Sequence, residues 1–256
     1  MSRALITGAS AGLGSEFARQ LAAAGHGLVL VARRAEPMEE LAAGLREKHS
    51  VAVDIITADL SLPSAPADIH AEIRRRGIDI DYLINNAGSE GPDLVKVRDW
   101  AKQEAYLRLM MTSVAGMCHE FMPGMLDRGF GRVLNVASVA GLLTVANDYS
   151  YGPTKAYLVA LSKGLAASFR DRGIHVMALC PGFTHTDFHA SERLTAMKNN
   201  MPRFAWYDAD VVVEEGLAAL EKGRDVYTSG RLYRFLVPIF RQRWTQGLLR
   251  LLGVGI

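Results

Sequence analysis

Short apolar runs alternate with amphipathic stretches from the start of the chain. Ala4-Leu5-Ile6 ends at Thr7-Gly8, after which Leu13, Phe17, Leu21 and Ala24 recur at helical spacing up to Gly25. That period gathers them on one helix face, and glycine is a common helix stop. Leu28-Val29-Leu30-Val31 is a second uncharged run. Strand, helix and strand within about thirty residues make a βαβ unit. The same alternation predicts a polar helix over about 36–48, a strand over Val51–Ile56 and a helix over about 65–76. It continues with a strand at Tyr82–Ile84, a long helix over about 95–122 and a strand at Val133–Val136. A helix over about 150–171 and a strand at Val176–Leu179 close the pattern. Strands this apolar belong to a parallel sheet covered by helices on both faces. No repeat, low-complexity segment or linker interrupts the series. The expected fold class is therefore α/β: a single-domain, Rossmann-type, doubly wound parallel sheet over residues 1–256.

Charge and composition narrow the function classes. The 256 residues carry 29 Lys plus Arg against 27 Asp plus Glu, a net charge of +2, with 49% hydrophobic residues. That balance argues against a nucleic-acid-binding surface and against overall disorder. Two cysteines, Cys118 and Cys180, are too few for a disulfide framework and suit a reducing compartment. The first residues reach glycines before any long apolar run, and no stretch offers 18 uncharged apolar residues, so a soluble cytoplasmic protein is expected.

Candidate chemistry starts at the turn after the first strand. Thr7-Gly8-Ala9-Ser10-Ala11-Gly12-Leu13-Gly14 joins a predicted strand to a predicted helix. Glycines allow a tight turn and let backbone approach a pyrophosphate, while the helix N-terminus offers unpaired N–H groups. Further elements follow the later strands: Asp59-Leu60 after the third, Asn85-Asn86-Ala87-Gly88 after the fourth and Ser138 after the fifth. Tyr151 and Lys155 stand in YGPTKA, and Pro181-Gly182 follows the sixth strand, with Thr184 and Thr186 just beyond. In this order the chain resembles the short-chain dehydrogenase/reductase family over roughly residues 3–190.

The resemblance implies a nicotinamide cofactor held by Gly8, Ser10, Gly12, Leu13, Gly14, Asp59, Leu60, Asn86, Ala87, Gly88, Tyr151, Lys155, Pro181, Gly182, Thr184 and Thr186. It implies Ser138, Tyr151 and Lys155 as the catalytic set. Nicotinamide carries a hydride, so the protein must supply orientation and a proton. Tyrosine ordinarily titrates near 10, too high for a base at neutral pH. Lys155 lies four residues on, on the same helix face, and a nearby ammonium is expected to lower the phenol. Ser138 is expected to steady the charge developing on the substrate oxygen. Pro153 lies between the pair, which fits a helix only in its first turn, with Ser150 near the N-cap.

In NAD-preferring members an acidic residue closes the second strand. Here that place reads Val31-Ala32-Arg33-Arg34. Arg33, with Arg34 beside it, offers donors to a 2′-phosphate, so NADP(H) is the expected cofactor. One departure stands out. Many members carry an Asn about 25 residues after the first Asn of the Asn-Asn-Ala-Gly element, where it bends the long helix and holds a proton-relaying water. That position is Met110 here, and Thr112 and Ser113 are the polar side chains near enough to substitute.

The substrate end is less determined. Residues 183–206, where the family places its lid, hold Phe183, Phe188, Leu194, Met197, Met201, Phe204 and Trp206. Such side chains suit an apolar ketone or secondary alcohol. His185 and His189 could share one helix face, but no third ligand accompanies them, so no metal is expected. Residues 231–256 hold five Arg and no acid among Leu, Phe, Trp and Ile, leaving the preceding 230 residues at −3. This amphipathic segment fits a cover over the cleft, a subunit contact or a membrane surface. By resemblance, a homodimer or homotetramer is expected. The combined expectation is an NADPH-dependent carbonyl reductase using Tyr151 as acid/base. A catalytically impaired NADP(H)-binding regulator or scaffold is the alternative that Met110 motivates.

Overall fold

A computed structural model describes residues 2–144, 148–186 and 203–240. Its strands are β1 (Arg3–Thr7), β2 (Gly27–Ala32), β3 (Val53–Thr57), β4 (Tyr82–Asn85), β5 (Gly131–Val136), β6 (Ile174–Cys180), β7 (Thr184–His185), β8 (Tyr207–Asp208) and β9 (Val226–Thr228). Its α-helices are α1 (Gly12–Ala23), α2 (Glu36–His49), α3 (Ala65–Arg75), α4 (Trp100–Leu107), α5 (Ser113–Arg128), α6 (Tyr151–Phe169), α7 (Ala209–Glu221) and α8 (Arg231–Phe240). Seven strands form one sheet in the order β3-β2-β1-β4-β5-β6-β9, every pair parallel. β7 and β8 pair separately. The expected doubly wound α/β architecture is what the chain adopts.

Strand alternation explains the layers. Ala4, Ile6, Leu28, Leu30 and Ile84 point to one face, where they pack with Phe17 and Leu21 of α1, Met38 and Leu45 of α2, and Val213 and Leu220 of α7. Their neighbours Leu5, Val29, Val31 and Leu83 point to the other face, against Ile69 and Ile73 of α3, Met117 and Phe121 of α5, and Ala166 of α6. A strand covered on both faces has no polar side to show, which is why these runs are uniformly apolar. The strand order reverses at β1, which pairs with β2 on one side and β4 on the other. Open α/β sheets bind ligands outside the strand ends at such a switch point.

Three elements differ from expectation. The third strand is displaced toward the C-terminus, to Val53–Thr57. The long helix begins at Trp100 rather than near 95 and runs to Arg128, with a π-helical turn at Arg108–Thr112. Residues 93–99 form a loop instead, because the Asp93 carboxylate accepts from the amides of Val95 (3.0 Å) and Lys96 (2.9 Å). Gln103 Nε2 pins the same loop through the carbonyls of Asp93 (3.0 Å) and Val97 (3.2 Å), and Asp99 caps the helix. The seventh strand, β9, is three half-buried residues long, too short for alternation to mark it.

Candidate active site

At the switch point, Thr7 ends β1 and Asn85 ends β4. Thr7 Oγ1 accepts from the amides of Asn86 and Ala87, both at 3.0 Å. Asn86 Nδ2 returns to the carbonyls of Thr7 (2.9 Å) and Gly8 (3.3 Å). Thus Asn86 and Ala87 shape the glycine turn from the neighbouring strand. The turn has no room for side chains: a Cβ on Gly14 would stand 2.1 Å from the Gly8 carbonyl oxygen, and Gly8 and Gly12 have φ of +66° and +57°. Both values favour glycine.

Asn85 serves the opposite face. Its Nδ2 donates to Asn135 Oδ1 (2.9 Å) and Asn135 Nδ2 donates to Ser162 Oγ (2.9 Å), which donates to the Leu158 carbonyl (2.7 Å). This buried polar chain ties β4 and β5 to α6. Neither Asn135 nor Ser162 carries a motif signal, and only the fold brings them together.

The surroundings of the glycine turn fit an anionic dinucleotide. Helix α1 opens at Ala11, which makes no side-chain cap, so its first amides are left for another acceptor. Ser10 lies in the turn, and Leu13 packs its side chain onto the core. Thr186 comes back across the sheet to Gly12, whose added Cβ would lie 3.4 Å from Thr186 Cβ. Arg33 and Arg34 stand exposed beyond β2, and neither forms a salt bridge among the described residues. Asp59 accepts from the Ser61 amide (2.9 Å) and hydroxyl (2.8 Å), and these bonds, with Arg33 nearby, hold its carboxyl below the usual range. Leu60 is buried against the second core layer.

Ser138, Tyr151 and Lys155 meet at the C-terminal ends of β5 and β6. The 3₁₀ turn Val139–Gly141 presents Ser138, whose Oγ accepts from the Ala140 amide at 3.2 Å. Gly141 lets this turn lie on α6, since a Cβ there would stand 2.6 Å from the Lys155 carbonyl carbon. Helix α6 starts at Tyr151, so Pro153 falls in its first turn as expected. Ser150 supplies no side-chain cap; Asp148 does so, accepting from the Gly152 amide at 3.0 and 2.9 Å. Lys155 is 4% exposed, and its Nζ donates to the Val136 carbonyl at 2.7 Å while lying 5.5 Å from the Tyr151 ring centre.

The electrostatics differ from the expected lowering of Tyr151. Burial pushes its phenol upward, opposed by a hydrogen bond with Ser138, with Tyr106 and Asp148 adding to the rise. Burial also brings Lys155 down to about 8, partly offset by nearby Cys180. Desolvation disfavours both charged forms, and it is the largest influence on each. Asp148 and Cys180 were not visible as site residues in the sequence; Asp148 precedes Tyr151 by three positions, at the edge of the capping pattern.

Met110 lies at the centre of the π-helical turn, 1% exposed. Its Sδ accepts from the Ser89 amide at 3.4 Å, and a Cβ on Gly88 would lie 3.3 Å from that sulfur and 3.8 Å from Lys155 Nζ. The thioether and the Lys155 ammonium therefore both border Gly88. Thr112 Oγ1 donates to the Arg108 carbonyl (3.2 Å) and Ser113 Oγ to the Leu109 carbonyl (2.7 Å), so both are returned to their own helix. Neither replaces the asparagine.

Beyond β6, Thr184 is buried and donates to the Gly182 carbonyl at 3.2 Å, while the Pro181 carbonyl accepts from Val139 at 3.0 Å. Trp206 lies 5.1 Å from both Phe183 and His185, ring centre to ring centre. His185 is in strand β7, not on a helix, and His189 lies outside the described residues, as do Phe188, Leu194, Met197 and Met201. No cluster of metal-ligating side chains occurs among the described residues. No described helix is long and apolar enough to cross a membrane.

The sequence is similar to known proteins over this same frame. The family model for short chain dehydrogenase matches residues 2–196. A putative ketoacyl reductase of Streptomyces coelicolor is 35% identical over 196 residues, which is 74% of this chain and 73% of that protein. A very-long-chain 3-oxoacyl-CoA reductase of Anas platyrhynchos is 31% identical over 194 residues, 72% of this chain; the match spans 60% of that relative's length. The solved structure of a short-chain dehydrogenase from Sphingobium yanoikuyae in complex with NADPH aligns with a TM-score of 0.80 at 30% identity, covering 98% of this chain and 95% of that one.

Proposed function

The chain belongs to the short-chain dehydrogenase/reductase family, and from that premise we propose that it is an NADP(H)-dependent carbonyl reductase acting on apolar ketones. The observation that carries this reading is the convergence of Ser138, Tyr151 and Lys155 beside the glycine turn, with Tyr151 hydrogen-bonded to Ser138 and Lys155 buried behind it. When bound, the nicotinamide supplies the hydride. The tight turn through Gly8, Gly12 and Gly14 would let backbone amides at the start of α1 hold a pyrophosphate, and Arg33 and Arg34 would offer donors to a 2′-phosphate.

Tyr151 delivers the proton. Its raised phenol keeps that proton at neutral pH, which suits an acid acting on the forming alkoxide. Ser138 donates to the same oxygen and stabilises its charge. Lys155, charged below about 8, favours the tyrosinate left behind. Phe183 and Trp206 pack together just beyond β6, and the names of the two curated relatives both describe reduction of a ketone on an acyl chain. A spectroscopic screen of NADPH oxidation over apolar ketones of graded size tests the proposal. Turnover that rises with apolar bulk is expected; a polar sugar as the best substrate would contradict it.

Met110 favours a second reading, an NADP(H)-binding regulator or scaffold with little turnover, because the thioether, which borders Gly88 as Lys155 does, cannot hold the hydrogen bonds of an asparagine. Tight NADPH binding without oxidation across the ketone panel is its signature. Pairing as a homodimer or homotetramer through the long helices rests on family resemblance, and sedimentation equilibrium reads it directly.

A further inference from the structure

Helix α8 carries none of the family's motifs, yet its first turn grips the loop after β6. The Tyr233 hydroxyl accepts from the Phe183 amide at 3.3 Å and donates to the Ala205 carbonyl at 2.8 Å. Its ring covers Gly182 so closely that a Cβ there would lie 2.0 Å from the ring carbon Cε2. The Phe183 carbonyl is held as well, accepting from the Tyr207 amide at 3.0 Å, while Tyr207 Oη accepts from the Leu232 amide at 3.2 Å. Both backbone polar groups of Phe183 are thereby tied to α8 or to the strand it clamps.

The helix is itself anchored. Arg234 forms a two-pronged ion pair with Glu215 of α7, at 2.9 and 3.2 Å, and donates to the Thr228 carbonyl at 3.3 Å. Glu215 Oε2 also accepts from the Gly230 amide at 2.9 Å, just before α8. On the other side, the Pro181 carbonyl accepts from Val139, one residue past Ser138. A continuous path runs from α8 through Tyr233 and residues 181–183 to the turn carrying Ser138.

We infer that Tyr233 is a positioning residue for the Pro181–Phe183 loop, setting where the nicotinamide end of the cofactor rests relative to Ser138 and Tyr151. This rests on the proposed function, in which that loop borders the nicotinamide. Its contacts are with Gly182, Phe183 and Ala205, so it acts through the loop. Buried phenol and ring suit that task, since burial raises the Tyr233 phenol and keeps the hydroxyl a donor.

The test compares two probes: NADPH, and 2′-phospho-ADP-ribose, which lacks the nicotinamide. Tyr233→Phe retains the ring on Gly182 and removes one hydroxyl. It is expected to weaken NADPH by about fivefold, the size of one hydrogen bond, and leave 2′-phospho-ADP-ribose unchanged. Amide exchange at Phe183 in the cofactor-free protein should quicken in the same variant. Equal weakening of both probes, as general loosening would give, overturns the inference, and so does no weakening of NADPH. Should Tyr233→Phe fail to fold, Arg234→Gln loosens the anchor without touching the loop and is judged by the same comparison. A wild-type chain that binds neither probe overturns the proposed function itself, an outcome read without any variant.

Discussion

Lys155 Nζ donates to the main-chain carbonyl of Val136 at 2.7 Å, from a side chain only 4% exposed. The carbonyl at the end of β5 thus holds the ammonium inside the site, where desolvation brings it from 10.5 to about 8. The direction of two pH effects follows. With charge required on Lys155, kcat/KM for ketone reduction is level below about 8 and falls about tenfold per pH unit above it. Stability moves the other way: the unfolded chain holds this proton up to 10.5 and the folded chain releases it near 8, so Lys155's unfavourable contribution is relieved as pH rises between them. A rate profile level to pH 10 would remove the lysine charge from the mechanism.

Tyr151→Phe removes the phenolic proton donor while keeping the ring. A positioned acid contributes about 10²–10⁴ in rate, so kcat is expected to fall by at least 100-fold, with NADPH affinity unchanged within about twofold. Steady-state kinetics paired with a fluorescence titration separate the two quantities. A variant retaining half its activity would move the proton source elsewhere.

Met110→Asn places an amide at the position bordering Gly88, which Lys155 also borders. A several-fold rise in kcat is expected if the thioether interrupts proton relay. The exchange buries a polar group where a methionine was 1% exposed, and a cost of about 1–3 kcal/mol in stability should accompany it. Unchanged kcat in a folded variant would sink the impaired-relay idea.

Arg33 and Arg34 close β2 without a carboxylate between them and the solvent. NADPH is expected to bind at least about tenfold more tightly than NADH, a difference near 1.4 kcal/mol. Arg33→Ala should weaken NADPH by about that factor and leave NADH unmoved. Equal affinity of the wild-type chain for the two dinucleotides would refute the preference.

Asn135 is fully buried between Asn85 and Ser162, with hydrogen bonds of 2.9 Å to each. Asn135→Ala removes one hydrogen bond from each partner, leaving Ser162 its bond to the Leu158 carbonyl and Asn85 a long one to Cys118 Sγ, and a weakened buried polar network costs about 1–3 kcal/mol in all. Urea unfolding should show a lowered midpoint of that size. NADPH affinity should be unaffected, because this chain of amides faces α6 and not the glycine turn. Loss of cofactor affinity without loss of stability would reverse that assignment.

Much of this protein is written locally. Runs such as Leu28–Val31 are apolar on both faces because helices cover both faces, so strand, burial and layer order can be read from neighbouring letters. The Gly8, Gly12 and Gly14 spacing is local as well, since a turn of fixed geometry needs those residues at those places. So is the Tyr151–Lys155 pair, one helical turn apart. Tertiary structure alone decided what depends on distant approach. Whether Tyr151 titrates low or high turns on desolvation against its hydrogen bond with Ser138, and only packing around the site sets that balance. The meeting of Met110 and Lys155 around Gly88, and Tyr233 on Gly182, join segments that have no pattern in common. Periodicity encodes which face of an element is buried, and it carries no information on which remote side chain will fill the space beyond that face.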